Sequence, residues 1–261
     1  MAEKNNSVLT KSDGKVLIVT INRPEVRNAV DSATAGALGE TFRQFERDEE
    51  LCTAVLTGAE GAFCAGADLR EVAEGRRTSV EKSGSGPMGP TWLQLNKPVI
   101  AAIEGHAVAG GLELALWCDL RVVARDAVLG VFNRRWGVPL IDLGTVRLPR
   151  LIGQGRALDL ILTGRAVSAE EALEMGLVNR VVERGKALNA ALELARTLAE
   201  FPQHGLRADR ASVYEQWALS WEEARQNELR HGVKVLDSGE SRSGAQRFAA
   251  GAGRHGKFKE K

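Results

Sequence analysis

Two stretches of this sequence run through small residues and glycine into a fixed acid. The first is Gly61-Ala-Phe-Cys-Ala65-Gly66-Ala67-Asp68-Leu69-Arg70, directly after an apolar run. Side chains this small let a ligand touch the backbone, and Asp68 can cap a helix beginning at Leu69. The second is Gly105-His106-Ala-Val-Ala-Gly110-Gly111-Leu112-Glu113. Here the chain leaves a strand and enters a helix at the paired glycines. The free N–H groups and positive dipole end of that helix suit a developing oxyanion. Glu113 lies in the first turn of the same helix, where a carboxyl can give or take a proton at the carbon next to the oxyanion. The alternative is that the glycines only permit tight turns and that Glu113 caps a helix N-terminus.

Other chemistry finds less support. Gly251-Ala-Gly253-Arg-His-Gly256-Lys257 has the spacing of a nucleotide loop. No strand precedes it, Phe258 stands where Ser or Thr is needed, and three residues cannot build the following helix. The histidines, at 106, 204, 231 and 255, lack metal-ligand spacing, so no metal is expected. Cys52, Cys64 and Cys118 form no C-x-x-C pair, which argues against a disulfide framework or a zinc site.

Alternating strands and helices must position the acids. Val16 to Ile21 and Cys52 to Thr57 read as strands, with a helix between them capped by Asp31 or Ser32 and running to about Arg47. Pro98 to Ile103 is a third strand, and Gly110-Gly111 opens a helix to Trp117. Leu120 to Val123 and Val128 to Val131 are short strands. Gly75 to Pro90, rich in Gly, Ser, Arg and Lys, is expected to be a mobile loop. Helices are expected over Thr145 to Ile152 and Gly155 to Leu162, and after the capping box Ser168-Ala-Glu-Glu171. Val178 to Val182 returns to strand, and helical patterns then dominate, broken near Pro202. The fold class is α/β with a C-terminal helical region.

Composition bounds the partners. The chain has 261 residues, 35 Lys plus Arg against 34 Asp plus Glu, and a net charge of +1. That balance argues against nucleic acid or an acidic membrane surface as partner. Hydrophobic residues make up 44%, enough for a large core. The most apolar stretch, Val99 to Trp117, is broken by Glu104, His106, Glu113 and glycines, so no membrane span is expected. The N-terminus lacks an apolar leader, and a cytoplasmic protein is expected.

Taken together, these segments resemble the crotonase, or enoyl-CoA hydratase/isomerase, superfamily. The resemblance is carried by Ile21-Asn-Arg-Pro-Glu25-Val26-Arg27-Asn28-Ala29, Ala62-Phe-Cys-Ala65-Gly66-Ala67-Asp68-Leu69, Lys97-Pro-Val-Ile-Ala-Ala, and Gly105 through Asp119. Gly137 to Gly153 and Leu162-Thr-Gly-Arg-Ala-Val-Ser-Ala-Glu-Glu-Ala continue it in register. It covers residues 10–200 strongly and the last helices weakly. It implies a spiral of ββα units over residues 1–200 and a helical trimerisation region over 201–261, in homotrimers or dimers of trimers. It further implies an acyl-CoA substrate whose thioester oxygen accepts the amides of Ala67 and Gly110, with no cofactor beyond the coenzyme A of the substrate. Coenzyme A would lie along Glu25, Val26, Arg27, Ala65, Gly66, Asp68, Leu69 and Arg70, with Gly111 close to the substrate and Trp136 shaping the acyl pocket or packing in the core. Because the chain is nearly neutral, its phosphates would be held locally by helix N-termini and a few arginines.

The resemblance also exposes a departure. Glu113 matches the first of two glutamates that hydratases of the family use, but the second position holds Asn133. An amide can orient water or a substrate oxygen, yet it cannot shuttle a proton at neutral pH. Asp142, in Asp142-Leu-Gly144-Thr145, looks like an aspartate that takes part in proton transfer in dienoyl-CoA isomerases. Alternatively it caps the helix near Thr145 or pairs with Arg134, Arg135 or Arg147. If Glu113 and Asp142 share one apolar pocket, one should stay protonated and provide an acid beside a base. The activity expected first is enoyl-CoA hydratase, with an enoyl- or dienoyl-CoA isomerase using Glu113 and Asp142 next. A CoA hydrolase or decarboxylase, and a non-catalytic acyl-CoA-binding protein, complete the set.

Overall fold

A computed structural model describes residues 7–75 and 84–253. The chain divides into two compact units, one ending at Leu198 and the other beginning at Ala199.

The first unit is built on a six-stranded sheet. Its strands are β1 (Val8–Asp13), β2 (Val16–Ile21), β3 (Thr53–Gly58), β4 (Val99–Ile103), β6 (Leu120–Ala124) and β9 (Arg180–Val182), in the order β1-β2-β3-β4-β6-β9. β1 pairs antiparallel with β2, and every later neighbour is parallel. β3 and β4 are buried almost throughout, which explains their unbroken apolar sequence. β1 is the exception: Thr10, Lys11 and Ser12 are exposed on an edge, so polarity hides it from a reading by hydrophobic pattern. A second sheet places β7 (Val128–Gly130) between β5 (His106–Val108) and β8 (Val167–Ser168). β5 and β8 lie outside the strands expected from sequence. They span only three and two residues, too short for a period-two pattern to register.

Helices α1 (Ser32–Arg47), α2 (Leu69–Ala73) and α3 (Gly110–Trp117) are connected to this framework. Asp31 caps α1 by accepting from Thr34 N at 2.8 Å, so it, and not Ser32, is the cap. Leu38, Phe42 and Phe45 of α1 are buried, and Phe42 meets Trp117 of α3 edge-on at 4.8 Å. Arg121, buried at the far end of α3, donates to the carbonyls of Ala115 at 3.1 Å and Cys118 at 2.7 Å. These bonds satisfy carbonyls that the helix end would orphan, and they fix the helix that carries Glu113. Then come α4 (Gly144–Ile152), α5 (Gln154–Thr163), α6 (Ala169–Glu174) and α7 (Ala187–Glu200). Ser168 caps α6, while the Glu171 carboxylate of the expected capping box turns instead to Arg165 at 2.6 Å.

The segment expected to be a mobile loop divides. Residues 76–83 lie outside the described residues, but Ser85, Gly86, Met88, Gly89, Pro90 and Thr91 are buried. That part of the loop is packed interior, a correction with consequences for the site.

The second unit contains α8 (Gln203–Glu215), α9 (Trp221–Asp237) and α10 (Glu240–Ala249). Pro202 begins α8, and Ser220 with Glu223 forms a capping box on α9. Glu240 accepts from His204 N at 3.1 Å and Gly205 N at 2.7 Å, tying α10 to the start of α8. Apolar side chains of these helices stay exposed, among them Trp221, Leu229, Leu236 and Phe248. Of the Gly251 to Lys257 segment, only the part to Gly253 falls among the described residues, where it forms a turn. No helix of the described residues is long and apolar enough to cross a membrane.

Candidate active site

The two glycine-bearing segments meet. Cys64 and Ala107 form a parallel bridge, with Cys64 N bonded to His106 O and Val108 N bonded to Cys64 O. A Cβ on Gly66 would lie 3.0 Å from Gly110 N, and one on Gly111 would lie 2.1 Å from Cys64 O. Glycine is therefore required for this approach, and at Gly66 also for a φ of +100°. On either side of Ala67, Gly66 O accepts from Val30 N at 2.8 Å and Asp68 N donates to Val30 O at 2.9 Å. Among the described residues the Ala67 amide has no protein acceptor. The same holds for Gly110, the first residue of α3, whose N–H no helical carbonyl can reach. Two unsatisfied amides thus stand on neighbouring segments.

Glu113 follows in the first turn of α3 and is buried. It does not cap its own helix. Its Oε1 accepts from Asp142 N at 2.9 Å and Gly144 N at 2.8 Å, at the entrance to α4. A Cβ on Gly144 would fall 2.7 Å from that oxygen, so glycine there is a requirement of the contact. Burial, reinforced by the nearby Asp142 charge and only partly offset by the two amides, pushes the Glu113 carboxyl up to about 7.

Asp142 is also buried, and it does not cap α4. Leu143 occupies the cap position with φ 66° and no side-chain bond. Asp142 Oδ1 instead accepts from Met88 N at 2.9 Å and from the Thr91 hydroxyl. Arg147 donates to Asp142 O at 2.9 Å and Thr91 O at 2.7 Å, clamping the loop to the head of α4. Burial raises the Asp142 carboxyl as well, while Thr91, Met88 and Arg147 draw it back. Met88 plays two parts, because a Cβ on Gly110 would touch its sulfur at 2.7 Å. Met88 and Thr91 escaped the reading by sequence; their loop carries no periodicity, and their partner lies 51 to 54 residues away.

Asn133 is buried. Its Nδ2 donates to Val138 O at 3.0 Å, while its Oδ1 has no partner among the described residues. A buried acceptor without a donor can receive a hydroxyl or water hydrogen.

The remaining expected residues separate into two groups. Arg27, Ala65 and Trp136 line one open cavity of about 300 Å³ with His106, Val108, Phe132 and Arg135. The Ala65 amide donates to Arg27 O at 3.1 Å, which joins the Glu25–Arg27 turn to the Ala65–Leu69 segment. Trp136 is 69% exposed, so it is no core residue. Arg135 stacks on Phe132 at 3.8 Å and donates to Gly164 O. Glu25, Val26, Asp68, Leu69 and Arg70 do not line this cavity. Asp68 caps α2 through Arg70 N and pairs with Arg23 at 3.0 Å; Leu69 and Arg70 are exposed on α2.

The arrangement offers unsatisfied amides for an oxyanion, a neutral-range carboxyl and a buried second carboxyl. A family model described as enoyl-CoA hydratase/isomerase matches residues 11–260. The protein named enoyl-CoA hydratase EchA19 of Mycobacterium tuberculosis is 35% identical over 254 residues, 95% of each chain. Carnitinyl-CoA dehydratase of Salmonella arizonae is 38% identical over 251 residues, covering 94% of this chain and 96% of the relative. Among solved structures, an enoyl-CoA hydratase of Mycobacterium tuberculosis H37Rv superposes with a TM-score of 0.89 at 38% identity, over 94% of this chain and 96% of that one. EchA1 of Mycobacterium marinum gives the same TM-score and coverage at 37% identity. With this fold and nearly its whole length matched, the chain belongs to the enoyl-CoA hydratase/isomerase family of crotonase-fold enzymes.

Proposed function

We propose that this enzyme adds water to a 2-enoyl-CoA, giving a 3-hydroxyacyl-CoA through a thioester enolate. The observation that carries the reading is the Glu113 carboxyl, held near pH 7 one turn inside the helix whose first amide, Gly110, is unsatisfied. Ala67 and Gly110 donate to the thioester oxygen and stabilise its charge as the enolate forms. The water oxygen bonds to C3 and its proton passes to the Asp142 carboxylate. The enolate then takes the Glu113 proton at C2, and proton return from Asp142 to Glu113 resets the pair. Asn133 Oδ1 orients the water by accepting its second hydrogen. Coenzyme A follows Glu25–Arg27 and Ala65–Arg70, with Trp136 and Gly111 beside the acyl-pantetheine arm. The thioester itself acidifies C2, so the reaction uses no further cofactor. The relatives named hydratase and dehydratase both gain or lose water, which supports this choice over the others in the family. In the same reading the α8–α10 region joins three copies, covering its exposed apolar side chains, alone or as a dimer of trimers.

A second reading, double-bond isomerisation, is favoured by one contact: the Asp142 amide bonded to Glu113, which places two carboxyl-bearing residues together. Proton removal by one and delivery by the other would move the double bond.

Crotonyl-CoA loses its conjugated absorbance on hydration, whereas a dienoyl-CoA shifts it on isomerisation, so one spectrophotometer separates the two. Replacing Glu113 by alanine should cost about 10²–10⁴-fold in turnover on the true substrate. Hydration kcat should fall as pH rises through about 7, where Glu113 loses its proton. Unchanged turnover in Glu113→Ala would remove the mechanism. A large gain of hydration in Asn133→Glu would mean the native chain is not a competent hydratase. Tight CoA binding with no turnover on either substrate would make it a binding protein.

A further inference from the structure

We propose that Thr91 is a positioning residue that keeps Asp142 the ionised member of the buried pair, so that the transferable proton resides on Glu113. The inference rests on the acid–base roles proposed above and adds what selects between the two carboxyls.

The selection is finely balanced. Glu113 Oε1 accepts two N–H groups, from Asp142 and Gly144, at 2.9 and 2.8 Å. Asp142 Oδ1 also accepts two donors, the Met88 N–H at 2.9 Å and the Thr91 hydroxyl. Donors stabilise the charged form of each acid, and here they nearly cancel. What tips the pair is the lower intrinsic pKa of aspartate, since the Arg147 guanidinium, which bonds to the Asp142 backbone carbonyl, draws both carboxyls down. Without the Thr91 hydroxyl the count becomes two donors against one, and the proton should pass to Asp142.

The hydroxyl is built into place. Thr91 is fully buried, and its carbonyl is held by Arg147 at 2.7 Å. Gly86 faces it with φ +98°, and a Cβ there would lie 2.2 Å from Thr91 Oγ1. Only a residue without a side chain can stand so close, and the loop curves at Gly86 to let Thr91 reach the carboxylate. The groups facing Asp142 from the other elements are Glu113 on α3, Arg147 on α4 and the Cys64 thiol. Burial pushes that thiol up to about 12, so it stays neutral and does not compete.

Infrared spectroscopy of the substrate-free enzyme separates a protonated carboxyl from a carboxylate and does not require turnover. The protonated band of the native protein near pH 6 should vanish in Glu113→Gln and persist in Asp142→Asn. In Thr91→Val, which keeps the side-chain shape, a protonated band should survive added Glu113→Gln, because Asp142 has lost a donor and takes up the proton. Hydration kcat at pH 7 should fall about tenfold or more in Thr91→Val. KM should stay within about twofold, because Thr91 acts on the chemical step and not on coenzyme A. Thr91→Ser, which restores the hydroxyl, should return both readouts to native behaviour. A native band that belongs to Asp142 would overturn the proposal without any Thr91 variant. So would a Thr91→Val band that still belongs to Glu113, or a Thr91→Ser enzyme that behaves like Thr91→Val. If the infrared assignments hold but no acyl-CoA turns over, the proposed activity fails while the role of Thr91 stands.

Discussion

Asp68 and Glu113 end two segments built alike: a strand, then small residues and glycine, then an acid at the head of a helix. Their surroundings make them different groups. Asp68 turns to its own helix, accepting Arg70 N at 3.1 Å, and to the Arg23 guanidinium at 3.0 Å. A cap with a cation beside it is bound into the local structure. Glu113 turns away from its own helix to the amides of Asp142 and Gly144, with Asp142 crowding it and no guanidinium on its oxygens among the described residues. It carries a proton near neutrality, the condition for proton transfer. The same local pattern therefore produces a helix cap in one place and, in the proposed mechanism, the proton-transferring acid in the other, and the distant partner decides which.

The contrast breaks most visibly at Gly144. In an ordinary helix, alanine for glycine gains about 1 kcal/mol of helix propensity. Here the new Cβ would meet Glu113 Oε1 at 2.7 Å and Glu113 Cγ at 3.0 Å. Gly144→Ala should instead lose about 1–3 kcal/mol by overpacking. Displacing the carboxyl from its two amides should cut turnover by about 10²-fold. A thermal melt and a crotonyl-CoA assay read both. A more stable, fully active Gly144→Ala would show that Glu113 is not held as described.

Much of this was legible in short-range sequence. The buried strands β2, β3 and β4, the helix opening at Gly110-Gly111, and the caps at Asp31, Asp68 and Ser168 all announce themselves within a few residues. Glu113 was legible as a candidate because glycine pairs and a first-turn acid lie next to each other. Its partners were not, since the Gly144 contact spans 31 residues and the Thr91 contact to Asp142 spans 51. Loop 84–91 reads as polar and flexible because glycine and proline dominate it, yet those residues let it be threaded through the interior. Asn133 was legible as a departure, but the lack of a partner for its oxygen among the described residues depends on the fold around it.

A gentler test uses pH. The Glu113 carboxyl rises from an ordinary 4.5 to about 7 in the folded protein. Between those values the native state holds a proton that the unfolded state has released. Stability from this group is therefore complete below 4.5 and is lost as pH climbs through 7. The slope cannot exceed one proton, about 1.4 kcal/mol per pH unit. Glu113→Gln should flatten urea unfolding free energies over this window and gain on the native protein above pH 7. An identical slope in both proteins would mean that Glu113 is ionised throughout.

Asp68 supplies the smallest effect and the sharpest control. Asp68→Ala removes the α2 cap, but Arg23 keeps Asp31 at 3.0 Å, so no buried cation is left alone. The cost should be that of a cap, about 1 kcal/mol, or about 2–4 °C in melting temperature for a unit of this size. Since Asp68 lies on the proposed coenzyme A segment, any kinetic change should appear in KM, with kcat far less affected than by Glu113→Gln. Uniform binding lost at a distance from the reacting carbon raises KM, whereas a missing proton donor lowers kcat. If Asp68→Ala lowered kcat as deeply as Glu113→Gln, the two acids would not be divided into structural and reactive roles. The chemistry would then have to be drawn across both glycine segments.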